Sequence, residues 1–223
     1  MGRFKEAIRK WKLGRRSPSN VFQSYYLKNK WGDGESRSGK GSNMGATQEL
    51  RALLPPLMAN LEVKTFLDLP CGDYYWMQHV DLGVDHYTGG DIVPDMIAAN
   101  TAEHARDGVC FEVIDLIQGS IPRHDLILTR DCLVHLSEAH VKKAVANIKA
   151  SGSTWLLTTT FPNLGTNEEI ATGQWRRIDL QKPPFGFPAP DNMIAEGMEY
   201  EKGQGPDKML GLWRIANLPD WAS

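Results

Sequence analysis

The stretch Phe66-Leu-Asp-Leu-Pro-Cys-Gly-Asp-Tyr-Tyr-Trp76 decides the fold, because it sets an acid at the end of a buried strand, then a turn at Gly72, then the aromatic start of a helix. From residue 65 onward, short apolar strands alternate with helical segments, the pattern of a parallel sheet covered by helices. Strands are expected at 65–69, 86–91, 110–116, 125–130 and 153–161, and helices at 74–80, 94–106 and 137–150. Right-handed crossovers turn this order into an open, doubly wound, mostly parallel α/β sheet with its ligand crevice at the carboxyl ends of the first strands. Before the sheet, residues 46–60 read as a helix interrupted by Pro55-Pro56. After it, residues 162–192 contain Pro162, Pro183, Pro184, Pro188 and Pro190 and show no helical period. Long loops inside a domain usually carry function, so this one is assigned to the substrate side. Residues 193–200 and 209–218 are expected to form an antiparallel pair at the sheet edge, with Gly203-Gln-Gly-Pro206 in the turn.

A chain of 223 residues fits one α/β domain with appended segments, here residues 1–43 as arm and loop and 44–223 as the domain. Hydrophobic content of 41% suits a packed core, and no apolar run approaches the ~18 residues of a membrane span. Cys71, Cys110 and Cys132 are odd in number and lie in or beside apolar segments, as reduced, buried thiols would. That usage, with no apolar signal after the basic N-terminus, leads to an expected cytoplasmic location. The net charge of −2 hides an asymmetry: residues 1–16 carry seven Lys and Arg against Glu6. Such an arm can meet phosphates or an anionic membrane surface. Phe4, Ala7, Ile8 and Trp11 recur at helical spacing, so the arm equally suits a short amphipathic helix packed on the body. The polar run from Trp31 to Asn43 is a loop, and Lys40 followed by Gly41 rules out a Walker motif. Carrying Arg37 and Lys40, it can fold over an anionic ligand or stay a surface loop.

The quoted stretch resembles motif I of class I S-adenosylmethionine-dependent methyltransferases, an acid followed by x-Gly-x-Gly-x-Gly. Pro70 and Tyr74 replace two of the glycines, and Gly72 is kept. The resemblance spans residues 44–161 and implies a Rossmann-like methyltransferase fold with S-adenosylmethionine as cofactor. A dinucleotide needs its glycine turn to cradle a pyrophosphate, an anion that Asp73 would crowd. S-adenosylmethionine presents a sulfonium and an ammonium instead, which favour carboxylates such as Asp68 and Asp73. Asp73 equally suits a cap on the following helix. Asp91 lies 23 positions after Asp68, where the ribose-binding acid of nucleoside sites is expected, and Asp115 matches the family acid that meets the adenine. The implied cofactor set is Asp68, Pro70, Gly72, Asp73, Trp76, Asp91, Ile92, Asp115, Leu116 and Arg130.

The fourth strand runs into Thr129-Arg-Asp-Cys-Leu-Val-His-Leu-Ser137, which in this family lies beside the transferable methyl group. The Pro-Pro-aromatic signature of nucleic-acid N-methylating enzymes is missing. A hydroxyl acceptor needs a base, and His135 is the candidate, with Asp131 four residues earlier placed to orient it if the segment is helical. Thr158-Thr-Thr160 is expected to face the crevice, and Asn167, Gln174, Trp175, Arg176 and Arg177 supply donors and an aromatic plate. Arg37, Lys40, Thr160, Trp175 and Arg176 are therefore the expected substrate residues, fit for a small, polar or glycan acceptor. These motifs together are similar to methyltransferases of bacterial surface-polysaccharide synthesis. The competing expectations are an RNA methyltransferase docked by the basic arm and a non-catalytic, degenerate cofactor-binding module. No metal constellation is read from the histidines and cysteines.

Overall fold

In the computed structural model, which describes Trp11, residues 13–196 and residues 208–221, seven strands pair into one sheet. They are β1 (Thr65–Asp68), β2 (His86–Asp91), β3 (Val109–Val113), β4 (Leu126–Thr129), β5 (Trp155–Thr160), β6 (Asn192–Ala195) and β7 (Met209–Arg214). Their order is β3-β2-β1-β4-β5-β7-β6. The first five are parallel, and β7 runs antiparallel to both β5 and β6. The winding therefore reverses between β1 and β4, which opens a crevice beyond their carboxyl ends. The described helices are α1 (Pro18–Leu27), α2 (Gln48–Asn60), α3 (Pro94–His104) and α4 (Glu138–Ala150), none long and apolar enough to cross a membrane.

Successive strand side chains point to opposite faces, so the continuous apolar runs bury both. Phe66, Leu126, Leu128 and Leu157 pack in the core that takes Leu50, Leu54, Leu57 and Met58 of α2. Leu67, Ile127 and Leu156 pack in the second core, with Val141, Ala144, Val145 and Ile148 of α4. Ser17 caps α1 and Ser137 caps α4 through their side chains, so each start is written in the sequence.

Three sequence expectations change. The helix through Pro55 and Pro56 is continuous; each proline costs about 3 kcal/mol in a helix interior, but burial of the apolar stripe at 50, 54, 57 and 58 outweighs it. The helix expected at 74–80 is replaced by a turn and a short 3-10 segment at Met77–His79. Both Gly72 and Tyr74 take left-handed backbone conformations there, which prevents helix nucleation. In return the Tyr74 ring packs against Tyr87 and Phe111, at centroid distances of 5.2 and 5.1 Å. Of the three thiols, Cys71 is buried and Cys132 partly so, but Cys110 is exposed on the outer strand β3. The edge hairpin is present as β6 and β7; its turn at 203–206, like most of the basic arm, lies outside the described residues.

If the α2 stripe holds the helix across its prolines, Leu54→Ala should destabilise the protein by about 2–5 kcal/mol. The partly exposed neighbour Leu53 should cost under about 0.5 kcal/mol on the same substitution. Urea unfolding checks both, and equal losses would show that the stripe does not carry the helix.

Candidate active site

Beyond the carboxyl ends of β1, β2 and β4 lies a cavity of about 550 Å³. One end is lined by Asp68, Asp91 and Asp115, together with Pro70, Gly72, Trp76, Ile92, Leu116 and Arg130. Asp68 accepts a hydrogen bond from the Tyr87 hydroxyl at 2.9 Å. Burial pushes its carboxyl up to about 7, against the lowering effect of that bond. Asp91 accepts from the Val93 amide at 3.0 Å and the Gly72 amide at 3.3 Å. Burial again dominates and raises it to about 6. Asp115 uses Oδ1 to accept from the amides of Ile117 and Gln118, a local turn that fixes the carboxylate at the rim.

Asp73 is the exception among the expected cofactor residues, because it turns away from the cavity. Its carboxylate accepts from Ser36 Oγ at 3.0 Å, the Arg37 amide at 2.7 Å and Ser38 Oγ at 3.1 Å. Ser38 Oγ in turn accepts from the Asp73 amide at 3.0 Å. These bonds clasp residues 30–42 across the cavity as a strap, whose residues Lys30, Trp31 and Ser38 to Ser42 form part of the wall. Gly72 makes the clasp possible: a Cβ at that position would lie 2.1 Å from Ser38 Oγ. That contact accounts for the one motif glycine the sequence keeps.

At the other end the cavity is lined by His135, Gln174 and Trp175 from the body and by Phe22, Tyr25, Lys30 and Trp31 from α1 and the strap. His135 Nδ1 lies 2.9 Å from the Gln174 carbonyl oxygen. A carbonyl only accepts, so Nδ1 carries the proton and Nε2 keeps its lone pair. Burial lowers the imidazole's proton affinity below its ordinary value, which favours the neutral form. The Trp31 ring stands 6.1 Å from the imidazole and 5.5 Å from Tyr25. Tyr25 donates to the Gly173 carbonyl at 2.8 Å. Gly173 has a left-handed conformation, and a Cβ on it would come within 2.5 Å of Val21 Cγ1, so α1 seats directly on this loop.

Asp131 lines the cavity but does not orient His135 as a helical spacing would require. With its left-handed backbone and the 3-10 turn at Leu133–His135, Asp131 lies in a segment that does not take the helical form on which that pairing was conditional. Instead its carboxylate takes a 2.7 Å bond from Lys208 Nζ and lies 3.4 Å from Arg130. Burial would raise its proton affinity, but Lys208 and Arg130 hold it below the ordinary carboxylate range. Arg130 is bonded to Glu196 at 2.6 and 2.9 Å, so the floor of the cavity is a compensated ionic cluster.

The expected substrate residues divide. Lys40 and Trp175 line the cavity. Arg37 instead lies over the Tyr26 ring, and Thr160 is buried, with its hydroxyl bonding Ile178 and Leu180 of the long loop. Arg176 is buried beneath that loop, where it donates to the Leu136 carbonyl. The Thr129, Thr158 and Thr159 hydroxyls bond within the strand ends rather than facing the crevice. Asn167 ties together the backbones of Asp179 and Pro183. The wall residues Phe22, Tyr25 and Lys30 were missed from sequence. Ser17-Pro18, an N-cap followed by a proline in the first turn, and the Val21/Tyr25 spacing were the available signals. Among the described residues no group of three His, Cys, Asp or Glu side chains is placed to hold a metal ion.

The sheet order and cavity are those of the class I methyltransferase fold. No protein-family model and no curated protein matches the sequence. Solved structures share the fold across nearly the whole chain. The N-methyltransferase NodS from Bradyrhizobium japonicum WM9, in complex with S-adenosyl-L-homocysteine, has a TM-score of 0.60 at 16% identity, covering 90% of this chain and 100% of that one. Magnesium protoporphyrin IX methyltransferase (ChlM) from Synechocystis PCC 6803, with bound S-adenosylmethionine, has 0.59 at 15%, covering 88% and 97%. The methyltransferase domain of bacterial CtHen1-CN has 0.55 at 12%, covering 77% and 100%.

Removing the clasp should free the strap without unfolding the sheet. In Asp73→Ala, amide hydrogen exchange across residues 30–42 should accelerate at least tenfold while β1, β4 and β5 keep their protection. Unchanged exchange in the strap would show that other contacts hold it.

Proposed function

We propose that this chain is an S-adenosylmethionine-dependent methyltransferase that methylates a hydroxyl of a small polar or carbohydrate-type acceptor. The observation that carries the proposal is the division of one cavity: strand-end carboxylates on one side, and on the other a buried imidazole whose Nδ1 is held by the Gln174 carbonyl. The cofactor-bound states of the NodS and ChlM structures support the choice of ligand. The residues fit it. Asp68 and Asp91 are acids whose ionisation is opposed by burial, and a sulfonium and an ammonium are the cationic groups that would offset that cost. Asp91 and Asp115 have the acceptor chemistry to take the ribose hydroxyls and the adenine amino group, with Ile92 and Leu116 as apolar contacts.

When bound, the cofactor supplies a methyl group already activated by its positive sulfur. The protein's share is alignment, exclusion of water and removal of one proton. The strap and α1 close the cavity over the acceptor end, where Trp175 offers a partly exposed aromatic face. His135 Nε2 takes the hydroxyl proton as the oxygen attacks, and the Gln174 carbonyl holds the resulting imidazolium through Nδ1. The Lys208 and Arg130 charges keep Asp131 ionised nearby, where its field favours the protonated imidazole in the product state.

Cofactor binding should depend on pH with a defined sign. The folded values of Asp68 and Asp91, about 7 and about 6, lie above the ordinary 3.8. Ionising them therefore costs the unliganded fold stability as pH rises through that window, and a bound cation offsets the cost. Calorimetry from pH 5.5 to 8 should show S-adenosylmethionine binding more tightly as pH rises, with proton release near pH 6–7. S-adenosylhomocysteine, which lacks the sulfonium, should gain less. A flat profile for both ligands would place the sulfonium away from these acids.

His135→Ala should lower kcat by about 10²–10⁴-fold while leaving cofactor affinity within twofold. In the parent, the acidic limb of the rate profile should lie below pH 6.5, the ordinary imidazole value, because burial lowers this one. Turnover of the variant at the parental rate, measured by transfer of isotope-labelled methyl to a fractionated cell extract, would assign proton removal to another group.

A further inference from the structure

The two ends of the cavity differ in charge, and the difference extends the methyltransferase reading to the chemistry of the acceptor. The cofactor end carries Asp68, Asp91 and Asp115. Between the ends, Asp131 is matched by Lys208 and Arg130, and Arg130 by Glu196, so these four side chains carry no net charge together, although Asp131 still acts on the nearby His135. At the acceptor end the charge beside His135 is that of Lys30. Lys30 holds its Nζ 3.3 Å from the centroid of the Tyr25 ring, a cation–π contact that leaves ammonium protons for a further ligand. It is near enough to His135 for its charge to oppose protonation of the imidazole. Trp31, beside His135, and the partly exposed Trp175 supply flat apolar faces to the same space.

We propose that the acceptor is an anionic sugar, a ring polyol carrying a phosphate, with its ring against Trp31 and Trp175 and its phosphate paired with Lys30. The C–H face of a sugar ring packs on indole, and a charge-assisted hydrogen bond to an ammonium selects the phosphorylated form over the neutral sugar. The arrangement also separates the charges of the two ligands. The cationic sulfur lies at the carboxylates and the anion at the lysine, so the hydroxyl to be methylated is held between them near His135. Lys30 acts here as a specificity-determining residue and takes no part in proton transfer.

The test titrates the protein, loaded with S-adenosylhomocysteine, with the 1-phosphates of glucose, galactose and mannose and with the matching free hexoses. Binding is followed by calorimetry and tryptophan fluorescence. At least one phosphate should bind ten times or more tightly than its free sugar. Lys30→Gln should abolish that preference and Lys30→Arg retain most of it, with S-adenosylhomocysteine affinity unchanged within twofold in both. Equal binding of sugar and phosphate, binding of no phosphate, or a full preference in Lys30→Gln would overturn the proposal while leaving the cofactor reading intact. Failure of the parent protein to bind S-adenosylhomocysteine would overturn both together.

Discussion

The wall over the carboxylate end of the cavity rests on the carboxylate of Asp73, which accepts three hydrogen bonds from a segment 35 to 37 residues earlier in the chain. Charge-assisted bonds of this kind are the stronger ones in proteins, and here they are concentrated on three successive residues of a short strap. The strap brings Ser38 to Ser42 and, further along, Lys30 and Trp31 to the wall. Without the clasp, the carboxylate end would open to water, while Trp31 keeps its own contact with Tyr25 of α1. The glycine turn after β1 thus serves a second purpose besides approaching a ligand: it leaves room for a hydroxyl of the strap to dock.

Electrostatics explains why these acids stand where they do. A parallel sheet ends in unpaired backbone groups, and the loops that leave it can lend amide protons to a buried carboxylate, as Gly72 and Val93 do for Asp91. Such bonds only partly offset desolvation, which leaves Asp68 and Asp91 reluctant to ionise. The floor of the cavity follows the opposite rule. Arg130, Asp131, Glu196 and Lys208 satisfy one another, so their charges are structural. The cavity thus sets acids whose ionisation burial opposes beside a cluster whose charges are paired with one another.

Much of this was legible in the sequence. The five parallel strands follow from continuous apolar runs bounded by turn residues, and Asp68, Asp91 and Asp115 follow from their places at or just past the strand ends. Local pattern does not report left-handed backbone. Tyr74 and Asp131 adopt it: the first removed the helix expected at 74–80, and the second denies the 131–135 segment the helical form that pairing Asp131 with His135 required. Nor does it report tertiary partners. Arg37, Thr160 and Arg176 have the donors a ligand site needs, but their contacts are with Tyr26, the long loop and Leu136. Phe22, Tyr25 and Lys30 went unread for the converse reason: a spacing shows that a face is covered, not that it covers a cavity.

The bare Cα of Gly173 has a consequence for how the site can change. Helix α1 rests on this position through Val21 and Tyr25, with no room for even a methyl group. A larger residue there must displace the side chains of Val21 and Tyr25 and so disturb the packing of α1 on this loop. Because the Gly173 amide also donates to the His135 carbonyl, and the next residue, Gln174, faces the imidazole, the seat of α1 and the orientation of His135 are fixed at one position in the chain.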